Sequence, residues 1–380
     1  MFTCHVCTNG DVRELAGYAS FPRVTSDCKP WPAGGQLGVC SRCGAMQKII
    51  NDQWRADIAR IYQDYTIYFQ ASGAEQAVFV GEAAQLMSRS DRLVSQIVAH
   101  VDLPPTGRLL DIGCGNGAFL GAFSSALPGW LLAGTELSET NKATVEAIRG
   151  VEALYTCGLA ETPGCFGLIS LVHVLEHIAN PSEFLRAVAA KLEHEGTLFV
   201  EVPDAARNPV DLLIADHATH FTVASLAALL ESAGFRITTL SEEWVSKEIS
   251  VVARKGHGPA AVPAMRGDAA ASALDWLRAT REAARAVRGR AAGRKFGLFG
   301  SSIAATWLAQ EVDRAMDFFV DEDIHRHGER FFERTVLSPD EVPDGSAVFV
   351  GIAGGAAERI ARRLSQSYPA VSWIPGPPLV

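Results

Sequence analysis

The sequence reads as an α/β protein built on a doubly wound, mainly parallel sheet, flanked by a cysteine-rich N-terminal module and a smaller C-terminal α/β domain. Three observations carry that expectation. Arg108-Leu-Leu-Asp-Ile-Gly-Cys-Gly-Asn-Gly-Ala-Phe-Leu120 is a short apolar strand that breaks into a glycine turn and then a helix. From residue 107 to about 254, apolar runs alternate with amphipathic segments, the pattern of strands covered by helices on both faces. Near the N-terminus, Cys4-x-x-Cys7 and Cys40-x-x-Cys43 repeat the knuckle spacing that tetrahedral zinc demands.

At 380 residues the chain exceeds what one hydrophobic core organises, so two or three domains are expected. Apolar residues make up 48% of it, enough for substantial cores. The net charge of -9 excludes a general nucleic-acid binder, because no basic excess is present to displace counterions from phosphates. No run approaches a membrane span, and the first residues lack the charged-then-apolar pattern of a signal peptide. A cytoplasmic protein with no membrane partner is therefore expected, its oligomeric state open between monomer and dimer.

Residues 1–50 are rich in glycine, proline and cysteine, and so short a segment needs a staple in place of a core. Cys4, Cys7, Cys40 and Cys43 supply it; zinc held by four thiolates has no open position, so its part is structural. His5 and Cys28 stand as alternative ligands, while Cys114, Cys157 and Cys165 read as buried small hydrophobes. Residues 51–105 are helical in pattern: Trp54, Ile58 and Ile61 recur over Asp52 to Gln63, and Leu86, Leu93, Ile97 and Val98 over Ala83 to Val101. Between them lies the aromatic run Asp64-Tyr65-Thr-Ile-Tyr68-Phe.

Residues 106–256 hold the alternating region. Strands are expected at Leu109–Ile112, Leu131–Thr135, Leu168–Leu171, Gly196–Glu201, Arg236–Ser241 and Ile249–Ala253, with helices over 118–126, 138–149, 182–192 and 223–233. Residues 257–292 comprise a glycine-proline linker and an alanine- and arginine-rich helix, Ala270 to Arg290. Residues 293–380 repeat the strand-turn-helix theme from Lys295 to Gly300-Ser-Ser, with Asp321 ending a second strand. Because that turn lacks the full glycine fingerprint, its expected use is packing or holding the substrate.

The glycines at 113, 115 and 117 permit a tight turn and a close backbone approach to a ligand. Taken alone, Gly113-x-Gly115-x-x-Ala118 also fits the loose dinucleotide fingerprint, which leaves an NAD-linked reading open. Asp111 argues against it. A carboxylate two residues before the first glycine sits badly beside two phosphates and suits a ligand bearing an ammonium and a sulfonium. Glu136, ending the next apolar run, is placed to accept from both ribose hydroxyls. For proton transfer near neutral pH, histidine is the tuned residue, and His217 is the candidate base, with Asp216 or another carboxylate fixing its tautomer. His220, Glu176 and His177 are further candidates at the edge of the site.

Asp111-Ile-Gly-Cys-Gly-Asn-Gly117, the acid at Glu136 and His173-Val-Leu-Glu-His-Ile178 resemble the landmarks of class I S-adenosylmethionine (SAM) methyltransferases, whose sheet is Rossmann-like. At whole-chain level, the order of cysteine module, SAM domain and degenerate Rossmann-like tail resembles the zinc-containing C-methyltransferases of nucleotide-linked deoxysugars. The resemblance implies a SAM cofactor seated on Asp111, Gly113, Cys114, Gly115, Gly117, Glu136, Leu137 and His173, with Ala160 and Glu161 beside the adenine. It also implies a structural zinc, and Tyr65 and Tyr68 near a sugar or nucleotide-sugar substrate. That family carries a His-Glu-His-Leu-Ser-Tyr-Phe-Ser run whose second histidine is the proposed base. The corresponding stretch here is Ala215-Asp216-His217-Ala-Thr-His220-Phe221-Thr222; anchoring on Phe221 sets His217 at the base position and Asp216 at the glutamate. The family's next element, His-Gly-Gly-Ser, is replaced by Ser246-Lys-Glu-Ile-Ser250. Three readings follow: C-methylation beside a keto group of a nucleotide-linked deoxysugar, O-methylation of a glycan or natural-product hydroxyl, or a non-catalytic SAM- or nucleotide-binding regulator.

Overall fold

Seven strands form the central sheet of the protein: β1 (Gly107–Ile112), β2 (Trp130–Thr135), β3 (Val151–Tyr155), β4 (Phe166–Val172), β5 (Leu192–Pro203), β6 (Phe235–Ser241) and β7 (Glu248–Lys255). They lie side by side in the order β3-β2-β1-β4-β5-β7-β6. All are parallel except β7, which runs antiparallel to both of its neighbours. The computed structural model describes residues 2–65, 77–80, 85–258 and 268–379. Among them no helix is long and apolar enough to cross a membrane.

The parallel strands are apolar on both faces because helices cover both. Leu109 and Leu110 of β1, Leu168, Ile169 and Leu171 of β4, and Leu198 to Val200 of β5 are buried. The helix Ala118–Ala126 starts from Gly117, whose left-handed φ of 84° no Cβ would accept cheaply. After β1 the chain winds toward β2, whereas β4 lies on the other side of β1. The carboxyl ends of β1 and β4 therefore open a crevice, the place where ligands bind in such sheets.

A second, four-stranded sheet is built from Val12–Glu14, Leu37–Cys40 and Met46–Lys48 of the N-terminal segment, completed by Thr219–His220 from beyond β5. The C-terminal region forms a six-stranded sheet around Phe296–Phe299, with helices Ala269–Arg290, Ile303–Glu311 and Ala356–Ser367. One hydrophobic core joins these parts: Tyr18, Phe21 and Val24 pack with Leu212 and Leu213, and with Leu277, Trp307 and Leu308. Phe21 sits at its centre, its ring 6.4 Å from that of Trp307 and 4.3 Å beneath the Arg281 guanidinium.

Four sequence expectations are corrected. The helix expected over Ala83 to Val101 is Arg89–His100, preceded by a strand, Gln85–Ser88, paired with Ala77–Val80. Ser88 stops the helix from starting earlier because its Oγ caps it, accepting from the Asp91 N–H at 3.0 Å. The helix expected over 138–149 shrinks to Lys142–Glu146, since Ser138 and Thr140 bond to each other in a turn. Strand β3, absent from the expected strands, is a five-residue edge strand, Val-Glu-Ala-Leu-Tyr, of which only Leu154 is buried. Finally, Cys157 and Cys165 are exposed and not part of any core.

Removing the ring that joins the N-terminal segment to the C-terminal helices tests this packing. Phe21→Ala is expected to cost about 3–5 kcal/mol of stability, read as a lower denaturation midpoint; a change within experimental error would show that the two regions do not share a core.

Candidate active site

The crevice at β1 and β4 is lined first by the glycine turn. Gly113 holds φ 69° with Val174 Cγ2 only 2.7 Å from where a Cβ would stand, so any larger residue here would be strained and would displace the Val174 side chain. Asp111, buried at the end of β1, accepts from Ser170 Oγ of β4 at 2.7 Å. Burial, with the charge of Glu136 adding to it against the Ser170 hydrogen bond, pushes its pKa up to about 7. Glu136 follows β2 and spans the turn, accepting from Gly115 N–H at 2.7 Å and Leu137 N–H at 2.9 Å. Leu137 beside it is 82% exposed, an apolar side chain left uncovered at the mouth of the crevice. Ala160 and Glu161 lie in the turn after β3, tied down by Lys191 Nζ, which donates to the Ala160 carbonyl at 3.0 Å. Cys114 packs inward under Gly134, where a Cβ would meet its sulfur, and is buried; the structure places it behind the turn.

His173 closes the other side, at the end of β4. It takes a left-handed φ of 54°, its Nδ1 lies 3.1 Å from Glu176 Oε1, and its Nε2 lies 3.2 Å from Glu248 Oε1. Glu248 also pairs with Arg89 at 2.9 Å. Burial disfavours the His173 cation, but Glu248 and Glu176 outweigh it and raise its pKa to about 10.

The histidines gather beside this network. His177 and His217 meet edge to face with ring centres 4.6 Å apart. The carboxylate on His217 is Asp211, at 2.8 Å from Nδ1, and the other oxygen of Asp211 takes His220 Nδ1 at 2.7 Å. Burial opposes charge on His217, but Asp211 more than compensates and raises its pKa. His220, fully buried near the Lys48 ammonium, is pushed down to about 4. Asp216, expected to orient His217, instead accepts from the Ser26 N–H at 2.9 Å and from Ser26 Oγ. It therefore ties the N-terminal segment to the site, with its backbone carbonyl 3.2 Å from His177 Nδ1. Asp211 was missed because it lies outside the motif, in the turn after Pro209. Tyr62 was missed as a helix residue; its hydroxyl lies 3.2 Å from His177 Nδ1. Tyr65 packs against Tyr62 and faces Ser26 Oγ at 3.4 Å; Tyr68 lies outside the described residues.

The four N-terminal cysteines form a separate cluster. Cys4 and Cys43 sulfurs are 3.5 Å apart, Cys7 and Cys40 sulfurs 3.6 Å, and all four lie within 4.8 Å of one another. Tetrahedral zinc with Zn–S bonds of about 2.3 Å sets sulfurs about 3.8 Å apart, so the donor set fits that ion. His5, whose Nδ1 contacts Thr219 Oγ1 at 2.9 Å, and Cys28, whose carbonyl accepts from Thr306 Oγ1, both lie outside the cluster.

Residues 83–240 match the family model described as a methyltransferase domain. The C-methyltransferase NovU of Streptomyces niveus is 26% identical over 254 residues, covering 62% of this chain and 56% of that protein. The ubiquinone biosynthesis O-methyltransferase of Caulobacter sp. (strain K31) is 39% identical over 101 residues, 24% of this chain and 39% of that protein. These matches span about half or less of the curated relatives' length. Among solved structures, SAH-bound CalO1, a methyltransferase in calicheamicin biosynthesis, is similar with a TM-score of 0.36 and 20% identity, over 44% of this chain and 54% of that one.

The raised Asp111 pKa sets a pH dependence for a cationic ligand. With SAM in the crevice, ionised Asp111 would attract its sulfonium and ammonium, so affinity is expected to rise as pH increases through about 7. Isothermal titration of wild type against Asp111→Asn checks this: the variant binds more weakly and loses that rise, whereas parallel pH profiles would remove Asp111 from the cofactor seat.

Proposed function

We propose that this chain, whose residues 83–240 form a methyltransferase domain, is a SAM-dependent methyltransferase acting on a sugar, in the form of a nucleotide-linked deoxysugar. The observation that carries the reading is the adjacency of the glycine-turn crevice to a histidine oriented by a buried carboxylate. The 26% identity to a C-methyltransferase over 62% of the chain supports methylation of carbon.

When bound, SAM supplies an electrophilic methyl on sulfur. Gly113, Gly115 and Gly117 would cradle it, Asp111 and His173 would face its methionine end, and Glu136, Leu137, Ala160 and Glu161 its adenosine end. The chain's own work is then positioning and proton transfer. Asp211 accepts from His217 Nδ1 and leaves Nε2 as the lone pair that removes the substrate α-proton. The electron pair released on carbon would form the new bond to the methyl that SAM supplies, with the sulfur leaving with the pair of the bond that breaks. Closeness of carbon and methyl in the crevice would supply much of the rate. Tyr62 and Tyr65 flank the same side and would contact the acceptor.

The cysteine cluster is read as a structural zinc site. Its sheet ends in Thr219–His220, so the metal fixes the strand that follows the base. We divide the chain accordingly into a zinc module, a connecting region, a methyltransferase domain and a C-terminal Rossmann-like domain.

The direct test is transfer of labelled methyl from SAM to a panel of nucleotide-linked keto-deoxysugars and their reduced alcohols. Label fixed on carbon supports the reading; label on oxygen of the alcohols moves the assignment to O-methylation, and SAM binding without transfer to any of them to a regulator. His217→Ala is expected to lower kcat at least ~100-fold while sparing SAM affinity. Because a base must be neutral, activity should rise with pH through a limb lying above the ordinary 6.5 of histidine, and Asp211→Asn should move that limb to lower pH. An unmoved limb would exclude the pair. For the cysteine site, Cys43→Ser is expected to abolish the one zinc per chain seen by elemental analysis and to reduce methyl transfer more than SAM binding.

A further inference from the structure

We propose that Glu176, His177 and His217 form a second divalent-metal site, independent of the cysteine cluster, which takes a transition metal such as Co2+, Zn2+ or Fe2+. One ligand atom from each of the three lies within 4.8 Å of the others. Two imidazoles and one carboxylate are the donors that borderline transition metals select.

Each ligand is already held through its other atom. Glu176 Oε1 faces His173 Nδ1 at 3.1 Å, while Glu176 Oε2 is buried with no hydrogen-bond partner among the described residues. His177 Nδ1 faces the Asp216 carbonyl at 3.2 Å, and His217 Nδ1 faces Asp211 Oδ1 at 2.8 Å. Those carbonyl and carboxylate partners fix both rings with Nδ1 as the donor, so both Nε2 atoms present lone pairs. Orientation of a ligating histidine by a carboxylate or a carbonyl behind it is the usual supporting arrangement of metal sites. Ring centres 4.6 Å apart at 86° suit two imidazoles converging on one ion.

The neighbouring group Asp211, His217 and His220 is not equivalent. Both carboxylate oxygens of Asp211 are there taken by imidazole N–H donors, at 2.8 and 2.7 Å, which makes it a hydrogen-bonded triad. Its part is to support the site from behind.

Filling the site occupies the His217 lone pair. On the reading of His217 as base, metal loading and proton abstraction exclude one another, so the ion acts as an inhibitor at the reaction centre.

The test uses the full chain with its cysteine cluster loaded with zinc, titrated with Co2+, separated by gel filtration and measured by elemental analysis. One cobalt per chain is expected beside one zinc. Glu176→Gln and His177→Ala should keep the zinc and weaken cobalt binding at least ~10-fold, and Asp211→Asn should weaken it by ~10–100-fold. Circular dichroism confirms that Glu176→Gln is folded. Cobalt retained equally by wild type and Glu176→Gln, or retained by neither, overturns the site. Cobalt that displaces zinc, and is lost in Cys43→Ser but not in Glu176→Gln, assigns binding to the cysteines and also overturns it. Methyl transfer should fall as cobalt fills the site; undiminished transfer with the site filled overturns the exclusion and leaves the binding result standing.

Discussion

Residues 211–220 are buried end to end, and the rest of the molecule is arranged around what that burial demands. A connecting segment ordinarily runs over the surface, where water satisfies its backbone. This one is enclosed, so protein groups replace the water. The Ala215 N–H donates to the Val24 carbonyl, and the Ala215 carbonyl accepts from Trp54 Nε1. Tyr18 and Lys48 donate to the Leu212 carbonyl, Lys48 N–H donates to the Ala218 carbonyl, and the Ala218 N–H donates to the Glu176 carbonyl. Partners thus come from the N-terminal segment, the first helix and the loop after β4 at once. Remove any one of these and buried polar groups are orphaned, at about 1–3 kcal/mol each.

That enclosure explains how residues far apart in sequence become one site. Asp211 can hold two histidines because both imidazoles sit on the same rigid segment. His177 meets His217 because its loop supplies one of the segment's carbonyl partners. The cysteine cluster reaches the same place through a sheet: Leu37–Cys40 pairs with Met46–Lys48, which pairs with Thr219–His220. A strand position in such a ladder cannot slip by one residue without turning its side chains to the opposite face. His220 therefore faces Asp211 only while the N-terminal sheet keeps its register.

Much of the central sheet was legible because its signals are local. The glycine turn, the apolar runs of β1, β2, β4 and β5, and the helices at 118–126 and 223–232 depend on neighbouring residues alone. Strand β3 was not legible, since its five residues, Val-Glu-Ala-Leu-Tyr, are too few to tell a strand from a short helical turn, and only Leu154 is buried. In the site, Glu136 and the cysteine pairs followed from spacing. Asp211 and Ser26 did not, because their roles come from contacts across the chain: Ser26 meets Asp216, 190 positions away. The carboxylate next to a histidine in sequence proved to hold a serine of another region, and the one that orients the ring lies six residues before it.

Charge compensation divides the acids around the crevice into two groups. Glu248 is flanked by Arg89 and His173, Glu176 by His173, and Asp211 by His217 and His220. Glu201, buried against Glu248, has its pKa raised well above the ordinary value, by burial first and then by that neighbour. Glu248, Glu176 and Asp211 each have a basic partner without a ligand. Asp111 and Glu136 differ: their described partners are a hydroxyl and backbone N–H groups, and neither forms an ion pair among the described residues. Asp111, ionised only as pH rises through about 7, and Glu136 therefore stand beside the glycine turn without an ion-pair partner among the described residues. At an effective dielectric near 20, a unit charge 4 Å from one of them interacts by about 4 kcal/mol, unfavourably for a pyrophosphate and favourably for a sulfonium or ammonium. A phosphate at the turn would also have to compete with Glu136 for the N–H of Gly115, which the carboxylate already accepts.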